Sequence, residues 1–156
     1  MRLSLLIAAL FLLPGCVTAT VTATPGEALR ETIIPTNQRR AYDEYHYAPA
    51  VRAGDYVFLS GIVAGMGPGE TDAEAGYDRA FRAVAATLRE ADAEWADVVE
   101  MTTYHTDLPA QFETFSRVKD RYVPEPYPAW TAIDVDRLLP DGGLVEIRVI
   151  AYAPRD

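Results

Sequence analysis

The chain is poor in the residues that build metal and redox sites. It has one cysteine, Cys16, and two histidines, His46 and His105. One cysteine allows no intrachain disulfide. Two distant histidines and an N-terminal cysteine give no metal-ligand spacing. Positive charge is scarce as well: 14 Lys+Arg stand against 23 Asp+Glu, a formal charge of -9. Such a surface repels phosphate backbones and no basic stripe offsets it, so nucleic acid is not an expected partner. No His-Asp arrangement or nucleophile elbow accompanies Ser60 or Ser116, which argues against a serine hydrolase. The glycine-rich loop 65–69 lacks the spacing and the lysine of a phosphate-binding loop. There are no internal repeats, and no apolar run is long enough for a comfortable transmembrane helix.

What is present fits one globular domain. The 156 residues are 49% hydrophobic, enough to bury a core without disulfides. The N-terminus reads as a targeting segment: Arg2, then the apolar run Leu3 to Leu13, then Leu13-Pro14-Gly15-Cys16. This resembles a bacterial lipoprotein box, in which Cys16 is lipidated and becomes the new N-terminus, although Pro14 is unusual at its position. The alternative is an ordinary secretory signal cut nearby, for example after Ala19, which discards Cys16. Both readings export the protein. The absence of aspartate next to Cys16 resembles lipoproteins sorted to the outer membrane, on the periplasmic side. The expected organisation is a signal segment at 1–15, a Thr/Ala/Pro/Gly-rich tether at 16–35 and a folded domain at 36–156. Membrane contact is expected through the lipid anchor only.

Within the domain, Tyr42 to Tyr47 and Val51 to Ser60 read as the first strands, with Arg52-Ala53-Gly54-Asp55 as a turn. Thr71 to Ala93 predicts a helix. Thr71 or Asp72 can cap it, and Tyr77, Phe81, Val84 and Leu88 form its apolar stripe. Asp97 to Thr106 predicts a strand. Leu108 to Tyr122 predicts a second helix, capped by Asp107, with Phe112, Phe115, Val118 and Tyr122 buried. Pro124, Pro126 and Pro128 then force an extended connection.

The last stretch reads as a strand pair, Trp130 to Val135 and Val145 to Ile150, joined through Asp141-Gly142-Gly143. Val145, Ile147 and Val149 point to one face, Glu146, Arg148 and Ile150 to the other. The element order predicts an α+β fold with two helices on one face of a mixed sheet. The other face carries Glu146 and is large for a single chain to leave open, so subunit association through it is expected.

Several segments in order resemble the Rid (YjgF/RidA-like) family. They are Tyr47 to Asp55 followed by Val57 to Gly61, Ala91 to Val98, Thr102-Thr103-Tyr104 with Asp107, Pro128-Ala129, the Leu138 to Pro140 turn, and Val145-Glu146-Ile147 with Ile150-Ala151. The resemblance covers roughly Tyr45 to Tyr152. It implies a chorismate-mutase-like α+β fold and a homotrimer with small-molecule pockets between subunits. It also implies hydrolysis of enamines and imines to carbonyl compounds and ammonia, with no cofactor and no metal. In such proteins an arginine after Pro-Ala clamps the substrate carboxylate and a glutamate of the final strand orients or activates water. Here the glutamate position is Glu146, the aromatic near the first motif is Tyr47, and the serine before glycine is Ser60, followed by Gly61. The arginine position is Trp130. An asparagine position of the second helix is Ser116, and a glutamine position after Ser-Gly is Ile62. The scaffold is retained while the clamp is lost, which puts 2-imino-acid hydrolysis in doubt.

The candidate residues each carry a second reading. Glu146 positions water at an imine carbon or serves as a structural partner at a subunit seam. Trp130, with Tyr127 and Tyr47 as expected neighbours, lines a ligand pocket or packs an interface. Ser60 hydrogen-bonds a ligand or its own loop. His105 suits a general base by its ordinary pKa, but its strand phase with Met101 and Thr103 favours a satisfied buried histidine. Arg148 and Arg52 are the cations considered as substitutes for the clamp. Asp134 and Asp136 read as a solvated edge. The resulting alternatives are an imine or enamine deaminase of altered specificity and a non-catalytic ligand-binding trimer.

Overall fold

The computed structural model describes residues 30–155. Met1 to Gly15, Cys16 and most of the expected tether lie outside the described residues.

Seven strands form one mixed sheet: β1 Arg30–Ile33, β2 Ala50–Ala53, β3 Tyr56–Leu59, β4 Ile62–Gly65, β5 Val98–His105, β6 Ala129–Asp134 and β7 Gly143–Tyr152. Three helices accompany them: α1 Arg39–Tyr45, α2 Ala73–Glu90 and α3 Leu108–Lys119. The strand order is β1-β2-β3-β7-β5-β6, with β4 also paired to β7. The ten-residue β7 is the spine. Its C-terminal end pairs with β3, its N-terminal end with β4, and its other edge with β5.

The two long helices form as their sequences predict. Asp72 Oδ1 accepts the Glu74 amide at 2.9 Å to cap α2, and Asp107 Oδ1 accepts the Ala110 amide at 3.2 Å to cap α3. Tyr77, Phe81, Val84 and Leu88 are all buried and pack with Val145, Ile147 and Val149 into one core. Exposing any one of these side chains forgoes about 1.5–3 kcal/mol of burial. Glu74 bridges the helices through Arg121 and Arg117.

Four expectations are corrected. Residues 39–45 are helix, not strand: Arg40 and Glu44 pair at 2.9 Å one turn apart, and His46 ends the helix in the left-handed region. Residues 30–33, read as tether, form an edge strand antiparallel to β2. The final two strands are not neighbours. β5 lies between them, parallel to β6 and antiparallel to β7, and α3 supplies the crossover that a parallel pair requires. On α3, Gln111 takes a buried place, whereas Phe112 is 47% exposed. Its ring lies parallel to Trp130 at 5.8 Å, at the sheet edge.

Candidate functional site

The structure sorts the candidate residues into two groups. The first forms where β3 passes into β4. Phe58 pairs with Ile150 and Ile62 with Ile147, so four residue steps on this side oppose three on β7. The extra residue makes a bulge at Leu59 to Gly61, a device that re-aims the backbone beside a site. Ser60 N–H donates to Pro49 O at 3.0 Å, and Ser60 Oγ donates to Ala48 O at 2.8 Å. The Ser60 hydroxyl thus holds its own loop. The Tyr47 hydroxyl donates to Gly61 O at 3.3 Å.

Glu146 closes this group. A Cβ built on Gly61 would lie 1.7 Å from Glu146 Oε1. Only a residue without a side chain lets the carboxylate lie against the bulge. Burial raises the Tyr47 pKa, the Ser60 hydrogen bond opposes that, and the Glu146 charge adds to it. Tyr47 therefore stays a protonated donor beside a carboxylate. With the Tyr47 proton on Gly61 O, the Glu146 carboxylate and the remaining lone pair of the Tyr47 oxygen are two acceptors that can hold one water at the backbone bulge.

The second group lies on the opposite face. Trp130 is in register with Met101, and Met101 with Val149, both buried on the helix side. Glu146 is in register with Tyr104 and Val63 on the other side. Two strand spacings across and three residues along put the Cα atoms of Trp130 and Glu146 about 14 Å apart, with their side chains on opposite faces. The expectation that Tyr47 neighbours Trp130 is therefore corrected for a single chain. Tyr127 does neighbour it: Met101, Lys119, Val123, Tyr127, Pro128 and Trp130 line a cleft of about 190 Å³. Lys119 Nζ sits 5.0 Å from the Trp130 ring centroid and 5.8 Å from that of Tyr127. Ser116 shares the α3 face with Phe112 and Lys119, and its buried hydroxyl has no hydrogen-bond partner among the described residues.

Lys119 went unnoticed in the sequence. Its spacing from Phe112, i to i+7, was the available signal, since it places both over one sheet residue.

His105 is fully buried and satisfied, as its strand phase implied. Its ring nitrogens lie 3.0 Å from Thr103 Oγ1 and 3.2 Å from Gln111 Oε1. Burial lowers its pKa, opposed by the Gln111 hydrogen bond and the Asp134 charge. Of the two substitute cations, Arg52 is spent on structure. It is buried and donates to Ala153 O at 2.6 Å and Ala91 O at 2.5 Å. Arg148 faces Glu100 at 3.8 Å. Among the described residues no group of three or more His, Cys, Asp or Glu could hold a metal ion.

A model of the Endoribonuclease L-PSP family matches residues 38–153. The RutC family protein YjgH of Escherichia coli K12 is 37% identical over 128 residues, covering 80% of this chain and 96% of that protein. The chloroplastic Reactive Intermediate Deaminase A of Arabidopsis thaliana is 32% identical over 110 residues, covering 67% of this chain and 57% of that one. A solved structure of protein YjgH superposes with a TM-score of 0.71 at 36% identity, covering 82% of this chain and 99% of that one. The bulge, the glycine under Glu146 and the mixed sheet are thus set in a known scaffold, and the chain belongs to the Endoribonuclease L-PSP family, the Rid (YjgF/RidA-like) proteins.

Proposed function

We propose that the protein hydrolyses imines or enamines with an apolar or aromatic body to carbonyl compounds and ammonia. The observation that carries this reading is the Glu146 carboxylate lying against Gly61 beside the Tyr47 hydroxyl, in a family with a relative named a reactive intermediate deaminase. Glu146 takes a proton from water as the oxygen adds to the imine carbon. The proton passes to nitrogen, and the carbinolamine collapses to the carbonyl product and ammonia. Trp130 in place of arginine leaves the site without a guanidinium fork, so the substrate gains more from its apolar body than from a carboxylate. The formal charge of -9 speaks against an RNA substrate.

The two groups of site residues can meet only between subunits, because one sheet separates them. The open face supports association: Tyr56, Phe58, Ile133 and Tyr152 are exposed there, an apolar surface that a partner would cover. The reading is a homotrimer, on the family resemblance, anchored through Cys16 at the periplasmic side of the envelope. Light scattering on the chain from Val17 onward tests it, and a stable monomer at micromolar concentration contradicts it. The test of the chemistry is imine hydrolysis with and without Glu146→Gln.

A second reading is a ligand-binding trimer without turnover. The aromatic cleft at Trp130 and Tyr127 favours it, because such a surface binds without reacting.

A further inference from the structure

We propose that the cleft between α3 and the start of β6 binds a small monocarboxylate with an aromatic or apolar body, its carboxylate taken by Lys119. The assignment deepens the reading above, since it names the ligand class and its charge partner. Its test uses a different residue and a different readout.

Lys119 is the first observation. A surface lysine ordinarily runs its stem along apolar surface and leaves its ammonium in water. Here the side chain is only 12% exposed, although Asp120, which takes one ammonium hydrogen at 2.5 Å, is 65% exposed. The ammonium is instead drawn over the Trp130 and Tyr127 rings, where the ring quadrupoles offset part of its lost hydration. An ammonium has three donors. With one on Asp120, two remain for a ligand.

The walls are the second observation. Met101, Val123 and Pro128 complete a lining in which Lys119 is the sole charged group. Apolar walls with one polar anchor select ligands built the same way. The volume, about 190 Å³, gives room for one ring or a branched chain. Phe112 lies parallel to Trp130, and the indole Nε1 donates to Thr103 Oγ1 at 3.0 Å. The indole wall is fixed before any ligand arrives, which reduces the ordering cost of binding.

A point-charge lysine differs from the guanidinium fork missing at position 130. It attracts a carboxylate without fixing its plane, so the apolar body sets the orientation. Aromatic acids should therefore bind better than acetate, and acids better than their amides.

The chain has two tryptophans, so a full chain carrying Trp95→Phe leaves Trp130 as sole reporter. Phenylacetate, phenylacetamide and acetate are titrated against its fluorescence. Saturable binding of phenylacetate, at least tenfold weaker for the amide and absent for acetate, is expected. Lys119→Met should weaken phenylacetate by about ten- to a hundredfold, the loss of one charge-assisted hydrogen bond. It should also erase the preference for acid over amide. Lys119→Arg should retain it, and Asp120→Asn, which removes the competing carboxylate, should tighten binding. Glu146→Gln should bind phenylacetate at least as tightly even where imine hydrolysis is lost, which separates binding from chemistry. Equal affinity for acid and amide, an unaltered Lys119→Met, or no saturation into the tens of millimolar would overturn the assignment.

Discussion

Trp130 Nε1 donates to Thr103 Oγ1 at 3.0 Å, and this contact starts a buried chain of hydrogen bonds with one direction. With Thr103 Oγ1 accepting from the indole, its own proton goes to His105 Nε2 at 3.0 Å. His105 Nδ1–H then donates to Gln111 Oε1 at 3.2 Å. Gln111 Nε2 donates to Thr106 Oγ1 at 3.1 Å, and Thr106 Oγ1 donates to Leu144 O at 3.1 Å. Each link pairs one donor with one acceptor. The chain therefore fixes the His105 tautomer and the Trp130 ring together.

Replacing Thr103 by valine keeps the shape and removes the middle of this chain. It strands the indole N–H and His105 Nε2, at roughly 1–3 kcal/mol per buried unsatisfied group. Urea unfolding should show a loss of at least about 2 kcal/mol. A Thr103→Ser variant, which restores the hydroxyl, should recover most of it. Equal stability of the valine and serine variants would contradict the role.

His105 carries a pH dependence of known sign. Burial lowers its folded-state pKa below the ordinary value of ~6.5. Below that value the unfolded chain takes up a proton that the folded chain refuses. The stabilisation is thus fully present above about pH 6.5 and is lost as pH falls towards the folded pKa. Unfolding free energies of the native chain and a His105→Gln variant should converge by up to about 1.4 kcal/mol per pH unit in that window. Parallel curves would mean that the folded and unfolded chains take up the His105 proton alike, which contradicts the shift.

Gly61→Ala should disarm the site without unfolding it. The new Cβ meets the end of the Glu146 side chain, which can swing away into the open face. Stability should change by less than about 1 kcal/mol, while imine hydrolysis falls to the level of Glu146→Gln. Full activity in Gly61→Ala would show that the carboxylate works from another position.

Cys16→Ser tests the anchor. The native chain should fractionate with membranes and gain the mass of a lipid modification, and the variant should be soluble and unmodified. If both partition alike, Cys16 is not the anchor.

Sequence periodicity reached much of this architecture. The α2 stripe, both helix caps and the alternation of β7 are local patterns, set by residues within two turns or two strand steps of each other. The β6–β5–β7 order is not local: Trp130 to Val135 and Val145 to Ile150 look like a hairpin because their alternation and the Asp141-Gly142-Gly143 turn say nothing of a third strand between them. The helix at 39–45 was hidden by the tyrosines at positions 42, 45 and 47, which favour strand. Glu146, Tyr47, Ser60 and Gly61 were placed by resemblance and do lie together. Trp130 was placed with them in a pocket between subunits, and within one chain it faces the other way. Its register with Met101 fixes that, and register across a parallel crossover leaves no mark in the order of residues. Lys119 has no place in the resemblance and became visible only when α3 was laid over β6.

The most direct test of the proposed chemistry compares two imines formed in situ by an amino-acid oxidase, one from alanine and one from phenylalanine. Imine loss is followed with the native chain, with Glu146→Gln and without protein. The account predicts that the phenylalanine-derived imine is hydrolysed faster than in buffer and that Glu146→Gln abolishes the gain. It also predicts that the alanine-derived imine, which has no apolar body for the Trp130 cleft, is barely accelerated. Rapid turnover of the alanine-derived imine alone, or full activity of Glu146→Gln, would contradict it.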